Sequence, residues 1–249
     1  MRLTRLHVAA PLAPDARIDL PGEAAAHVAR VLRARAGDPL VLFNGDGREF
    51  EAVVETVRGT RVAVAVGGAR EVDREPPVAF TLLQCLPRGD RMDWIVQKAT
   101  ELGVARIVPL VSRRSVVKLT DRQCESKTAH WRAITVSACE QCGRNRLPVV
   151  DAPRPLDEFL GGEATAGARF VFDPDAGDGA PTVPAAAAME FAIGPEGGFE
   201  PEELDWFRVA GFRGVRLGPR ILRAETAAIA ALVWLQTRFG DLGGAATAP

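Results

Sequence analysis

Along the first part of the chain apolar positions mostly alternate with polar ones, and from Val78 onward they gather into short apolar runs separated by helical stripes. "PLVLFNGDGREFEAVVETV" sets an apolar run before Asn44-Gly45-Asp46-Gly47 and then alternates Phe50, Ala52 and Val54, the pattern of a hairpin with one buried face. "TRVAVAVGG" alternates in the same way and predicts a further strand. Between the early strands, "AAAHVARVLRARAGD" puts His27, Val31 and Leu32 at helical spacing, which predicts one short helix. Together these elements predict a small β-barrel over residues 1–72. The stretch "GGAREVDREPP", Gly67 to Pro77, carries glycines, alternating charges and a double proline, so it reads as a linker.

Residues 73–243 have a different rhythm. The run "VAFTLLQCL" leads into "DRMDWIVQKATELG", a helix with Asp90 as N-cap, the stripe Met92, Ile95, Ala99, Leu102, and Gly103 as its stop. "RIVPLV" is the next strand, followed by a long helix opened by the capping box Thr120-x-x-Gln123, with Trp131, Ile134 and Ala138 inward. "RFVFD", "MEFAIG" and "GVRL" are three more strands, and "AAIAALVWLQTRFG" is the last helix, with a disordered tail expected after Gly240. The loop "PDAGDGAPTVPAAAA" separates the first two of those strands. Strand–helix alternation of this kind predicts an α/β fold, a mostly parallel sheet with helices on both faces. Ligands of such sheets sit beyond the carboxyl ends of the strands, where "FDPDAG", "GPEGGFEPEE" and "LGPRILRAET" lie.

Composition adds limits. The apolar fraction of 47% and charged fraction of 25% are those of a soluble globular protein. No apolar run reaches the roughly 18 to 20 residues that span a bilayer, and the N-terminal apolar stretch is too short for a signal peptide, so a cytoplasmic protein is expected. The net charge is −1, yet of 31 basic residues only Lys98, Lys118 and Lys127 are lysine. Arginine suits phosphate and base edges, although a GC-biased genome gives the same preference. Cys139-x-x-Cys142 lacks a second cysteine pair for zinc and closes a helical pattern instead of opening one, so small buried thiols are expected. His7, His27 and His130 are scattered, and no metal is expected.

The acidic glycine loop raises the chemical question. It has neither the Lys-Ser/Thr of a P-loop nor a G-x-G-x-x-G, and Glu196 disfavours a polyphosphate. Its glycines let a ligand reach the backbone, which suits a cationic molecule without phosphate, and S-adenosylmethionine is one. Pro201 and the glutamates after it read as a helix start, with Glu202 and Glu203 complementing the helix dipole.

"GPEGGF" (Gly194 to Phe199) followed by "LGPRILRAETA" (Leu217 to Ala227), with "DRMDWIVQKATELGV" and "EQCGRNRLP" upstream, resembles the RsmE family of SPOUT RNA methyltransferases. The resemblance runs over essentially the whole chain, and the opening "MRLTRLHV" with "HVARVLRARAGD" is similar to that family's PUA-like domain. One position departs from the pattern: Ala224 stands where the family has Thr. The resemblance implies a SPOUT-type sheet with a C-terminal trefoil knot, a homodimer, S-adenosylmethionine as cofactor, and methylation of N3 of uridine 1498 in 16S rRNA within the 30S subunit. Another base, a ribose 2′-hydroxyl, or a non-catalytic RNA-binding role are the alternatives.

For the cofactor the resemblance points to Gly194, Glu196, Gly197 and Gly198, with Ile193 before them, and to Leu217, Gly218, Ile221 and Leu222, while Phe172 and Asp173, ending an earlier strand, are further candidates. For catalysis it points to Arg223, Glu140 and Arg144, where Glu140 and Arg144 also have the spacing of an ordinary helical ion pair. The RNA-binding candidates are Arg2, Arg5, Arg30, Arg33 and Arg35 in the small domain, extended by Arg88, Arg91, Arg113, Arg114 and Lys118.

Overall fold

The computed structural model describes residues 3–116, 119–162, 167–177 and 187–243. Arg2, Lys118, most of the Ala/Pro/Gly loop and the end of the tail expected after Gly240 lie outside the described residues. The chain divides into two compact units, one of Met1–Glu75 with Val136–Leu147, the other of Pro76–Thr135 with Pro148–Pro249.

In the first unit β1 (Thr4–His7), β2 (Arg17–Asp19), β3 (Pro39–Phe43), β4 (Arg48–Arg58) and β5 (Arg61–Glu71) form one sheet in the order β1-β3-β4-β5-β2. β1 and β3 are parallel, and the other pairs are antiparallel. The period-2 pattern is what the packing uses: Phe50, Ala52 and Val54 of β4 and Val62, Val64 and Val66 of β5 are all buried in one core. The predicted short helix is present as α1 (Gly22–Ala26), which passes into a π-helical turn over His27–Val31.

Residues 136–147 join this unit because buried charge ties them there. Arg5 donates through Nη1 to Glu49 (2.6 Å) and through Nη2 to Asn145 Oδ1 (2.5 Å) and the Arg144 carbonyl (3.2 Å). Arg74 donates to the Gly143 carbonyl at 2.7 Å, and Asn145 Nδ2 to the Val72 carbonyl at 3.0 Å. The motif "EQCGRNRLP" thus folds with the small sheet's unit, where sequence periodicity could only extend the preceding helix.

The second unit holds β6 (Ala79–Cys85), α2 (Arg91–Glu101), β7 (Val104–Val111), α3 (Asp121–Cys142, up to Thr135), β8 (Val149–Val150), β9 (Arg154–Pro155), α4 (Leu156–Leu160), β10 (Ala168–Phe172), β11 (Ala188–Ile193), α5 (Pro201–Val209), β12 (Arg213–Val215) and α6 (Ala224–Phe239). Its sheet runs β12-β10-β11-β6-β7-β8, with β9 also on β7, and every pair is parallel. Neighbouring strand residues face opposite ways, so Leu82 joins the core under α2 and α6 while Leu83 joins a second core with Leu156 of α4 and Phe207 of α5. That accounts for near-continuous apolar strands with helices on both faces.

Local signals act in different ways. Gln123 reaches back to the Thr120 N–H (2.9 Å), the reciprocal half of the expected capping box, and the Thr120 hydroxyl turns to the same Gln123 oxygen. Asp90 precedes α2 without a side-chain capping bond. Buried Gln236 of α6 donates to the Leu102 carbonyl at 2.6 Å, closing the end of α2. Cys85 and Cys139 are buried and Cys124 and Cys142 half-buried, all as free thiols. Among the described residues no helix is long and apolar enough to cross a membrane.

Candidate active site

Parallel pairing brings three strand ends level. Phe172, closing β10, lies opposite Ile193 at the end of β11 and opposite Val215 at the end of β12. The loops that follow leave the sheet at the same end and wall a cleft of about 500 Å³, a size within the range of small-molecule sites. All ten residues that the sequence assigns to a cofactor line it: Phe172 and Ile193 at strand ends, Gly194, Glu196, Gly197 and Gly198 in one loop, Leu217, Gly218, Ile221 and Leu222 in the other. Asp173, Asp175 and Ala224 line it too, and Ala224 leaves the wall without the hydroxyl a Thr would bring.

Backbone geometry explains the glycines. Gly198 sits at φ +68° and Gly218 at φ +71°, in the left-handed region that side chains resist. A Cβ on Gly197 would come within 3.3 Å of Arg114 Cδ, so this glycine lets an arginine pack on the loop.

The loop's carboxylates are occupied by arginines. Glu196 Oε1 accepts the Arg88 N–H at 2.9 Å and pairs with Arg91 Nη1. Glu200 takes Arg114 in a two-point fork (2.7 and 3.0 Å), while Arg114 Nη1 donates to the Gly197 carbonyl at 2.7 Å. Glu202 pairs with Arg113. Glu203 is fully buried and spans two jobs: Oε1 accepts the Arg113 N–H and Oε2 the Glu200 N–H, each at 2.8 Å. The second of these belongs to a capping box that starts α5 behind Pro201 at its first turn.

Arg88, Arg91, Arg113 and Arg114, the residues expected to extend an RNA track, lie beside this loop. Three of their guanidiniums are engaged by the acidic loop, and Arg88 gives it a backbone N–H. The reason is topological: β6 lies between β11 and β7 in the sheet, so loops closing β6 and β7 come beside the loop closing β11. A signal was present in the sequence, basic ends on two strands and an acidic end on a third, but strand order was needed to read it.

Titration follows from these contacts. Burial would raise the Glu196 carboxyl, yet the Arg88 N–H and the Arg91 charge outweigh it and hold it below the ordinary range. The Arg114 fork holds Glu200 down in the same direction. Asp173 goes the other way, raised by burial with the neighbouring charge of Asp175 adding to it.

Residues 74–236 match the family model described as an RNA methyltransferase domain, and residues 20–66 match the one described as an RNA methyltransferase PUA domain. The ribosomal RNA small subunit methyltransferase E of Bacillus subtilis is 32% identical over 86% of this chain and 87% of its own length, and that of Buchnera aphidicola is 31% identical over 97% and 98%. The chain belongs to the ribosomal RNA small subunit methyltransferase E family.

Two solved structures extend the likeness. A methyltransferase from Legionella pneumophila, solved with the bound cofactor SAM, superposes with a TM-score of 0.93 at 40% identity over 97% of this chain and all of that one. The family member from Neisseria gonorrhoeae, bound to S-adenosyl methionine, gives 0.90 at 33% identity over 96% and 99%. The fold expectation of a parallel α/β unit preceded by a PUA-type unit is thereby met.

The remaining family candidates occupy different places. Arg223 is exposed at the N-cap of α6, next to the cleft-lining Leu222 and Ala224. Glu140 and Arg144 belong to the first unit: Glu140 Oε1 accepts the His7 N–H at 2.9 Å, and Arg144, buried beyond the end of α3, pairs with Glu75. The structure gives both of them holding contacts inside that unit, and Arg144 lies past the helix on which a pair with Glu140 was expected. Arg5, expected on an RNA face, has its side chain enclosed in the Glu49–Asn145 network. Arg30, Arg33 and Arg35 are exposed, and Arg33 stands at φ +52° just after the π-helical turn.

Proposed function

We propose that this chain is an S-adenosylmethionine-dependent methyltransferase acting on N3 of a uridine, uridine 1498, in the 16S rRNA of the assembled 30S subunit. The observation that carries the reading is the cleft, in which exposed glycine backbone, apolar Leu217, Ile221 and Leu222, and the carboxylates of Asp173 and Asp175 face one space. That lining fits the cofactor: backbone and aliphatic groups suit an adenosine, carboxylates suit a cationic amino acid moiety, and Ile221 is 85% exposed, a large apolar side chain open to contact.

When bound, the cofactor supplies an electrophilic methyl group. The chain's own residues have to hold the uracil in line, since N3 is an imide nitrogen that must lose its proton as it is methylated. Charge then develops on the adjoining carbonyl oxygens, and Arg223, a permanently charged planar donor beside the cleft, is the residue assigned to stabilise it. In the first unit Arg30, Arg33 and Arg35 form the RNA face, with Val31 exposed among them. A homodimer, a knotted crossing of the loops around the cleft and a cytoplasmic setting complete the reading.

The test uses the purified full chain with labelled S-adenosylmethionine and 30S subunits from cells lacking the N3 modification, followed by mass-spectrometric mapping of the 16S rRNA. Label at that uridine's base supports the reading. Label on a ribose or another base overturns the assigned target, and cofactor binding without any transfer overturns the enzymatic role.

A further inference from the structure

Two walls of the cleft come from separate stretches of chain, the loop after β11 and the loop ahead of α6, and a single guanidinium reaches toward both. Arg91, the first residue of α2, pairs through Nη1 with Glu196 in one wall and lies with Nε 3.6 Å from Glu225 Oε1 in the first turn of α6, just beyond the other. We propose that Arg91 is the positioning residue that holds the two walls at ligand-binding spacing; this rests on the reading of the cleft as the S-adenosylmethionine site.

Three observations favour the clasp. Arg91 and Glu196 are each about one-third exposed, at 35% and 31%, so their pair is of the solvent-screened kind that adds little to folding. Glu225 is more enclosed, and among the described residues its Oε2 is buried with no hydrogen-bond donor and Arg91 is the cation paired with it. Finally, Glu196 also accepts the Arg88 N–H, a contact independent of the Arg91 side chain that its removal would leave in place. What is lost is the connection to α6, and hence the correlation between the walls. An arginine can present two nitrogens to two carboxylates, whereas the lysine ammonium is a single point charge.

The experiment is calorimetric titration of the full chain with S-adenosylmethionine, beside steady-state methylation of 30S subunits and a thermal melt. Arg91→Ala is expected to bind about tenfold more weakly, as when only one molecule in ten has its walls in place. Stoichiometry should be retained, with KM for the cofactor raised and kcat at saturation near the wild-type value. Arg91→Lys should fall between the two, and Glu225→Gln should weaken binding alone while adding little on top of Arg91→Ala. Binding by Arg91→Ala within about twofold of wild type overturns the clasp, since the walls would then be preorganised without it. So does a fall in Tm and binding stoichiometry with unchanged affinity of the folded fraction, which is the signature of a merely structural residue. Absence of binding by the wild-type chain is a separate outcome that overturns the site reading and the clasp with it.

Discussion

Two regions of the molecule, the Arg5–Arg144 network of the first unit and the acidic loop of the second, use arginine–carboxylate pairs in opposite ways. In the first, the Arg5–Glu49 and Arg144–Glu75 pairs are sunk into the fold, with Arg5 at 7%, Glu49 at 8% and Arg144 at 4% exposure. In the second, the pairs around the acidic loop stand in solvent, Arg114 at 42% and its partner Glu200 at 36%. Buried pairs need each partner, because losing one leaves an uncompensated charge in a poor solvent. Exposed pairs contribute little to stability and can instead set the conformation of a loop. The same residue types therefore secure a segment in one unit and shape a cleft in the other.

The largest effect expected from breaking this contrast is in the first unit. Glu49→Ala strands Arg5 and should cost about 3–5 kcal/mol in denaturant unfolding of the full chain, the range for breaking a buried pair from one side. A cost under about 1 kcal/mol would place the network with surface pairs. Next comes the loop backbone: Gly198→Ala forces a side chain into the left-handed region at φ +68° and should cost about 1–2 kcal/mol, with weaker S-adenosylmethionine binding. Arg114→Ala should sharpen the contrast further, since its fork to Glu200 and bond to the Gly197 carbonyl order the loop from solvent. The melt should be unmoved while cofactor affinity drops; an equal loss in both would make Arg114 a stability residue.

Smaller effects separate the arginines themselves. Arg30→Ala, Arg33→Ala or Arg35→Ala should each lower the salt slope of RNA binding by about 1 without changing stability. Arg5→Ala should do the reverse, leaving the slope alone and lowering stability, because its guanidinium is already spent inside the unit. pH gives the last test. Glu196 and Glu200 are held below their ordinary value in the folded chain, so their contribution is fully present above the unfolded carboxylate pKa and is lost as pH falls through the depressed folded one. The pH dependence of unfolding should therefore show that contribution intact from neutral pH down to the ordinary glutamate range and lost only below it. Loss near pH 6 would point to a different titrating group.

Much of this was legible in the chain. Alternation in "FEAVVETV" and "RVAVAV" predicted the paired β4 and β5, because a strand with one buried face must repeat every second residue. The apolar runs "FTLLQC" and "MEFAI" predicted buried parallel strands, and the glycines of "GPEGGF" predicted exposed backbone at a strand end. The membership of "EQCGRNRLP" in the small unit was not legible, since the bonds that hold it span more than sixty residues of sequence. Nor was the fate of the charges. In the sequence Glu196 can either meet a ligand or only shape the turn, and nothing local pairs Arg91, Arg113 and Arg114 with the acidic loop.

By itself the sequence determined what each segment is, through periodicity, turn residues and motif chemistry, all of which act over a few residues. Its family motifs point to ten cofactor candidates, which the fold brings around one cleft. Only the tertiary structure decided which charges meet. Strand order is set by packing between distant segments, and it put the loops of β6 and β7 beside that of β11. There the acidic glycine loop holds arginines first, and through them the shape of the cleft.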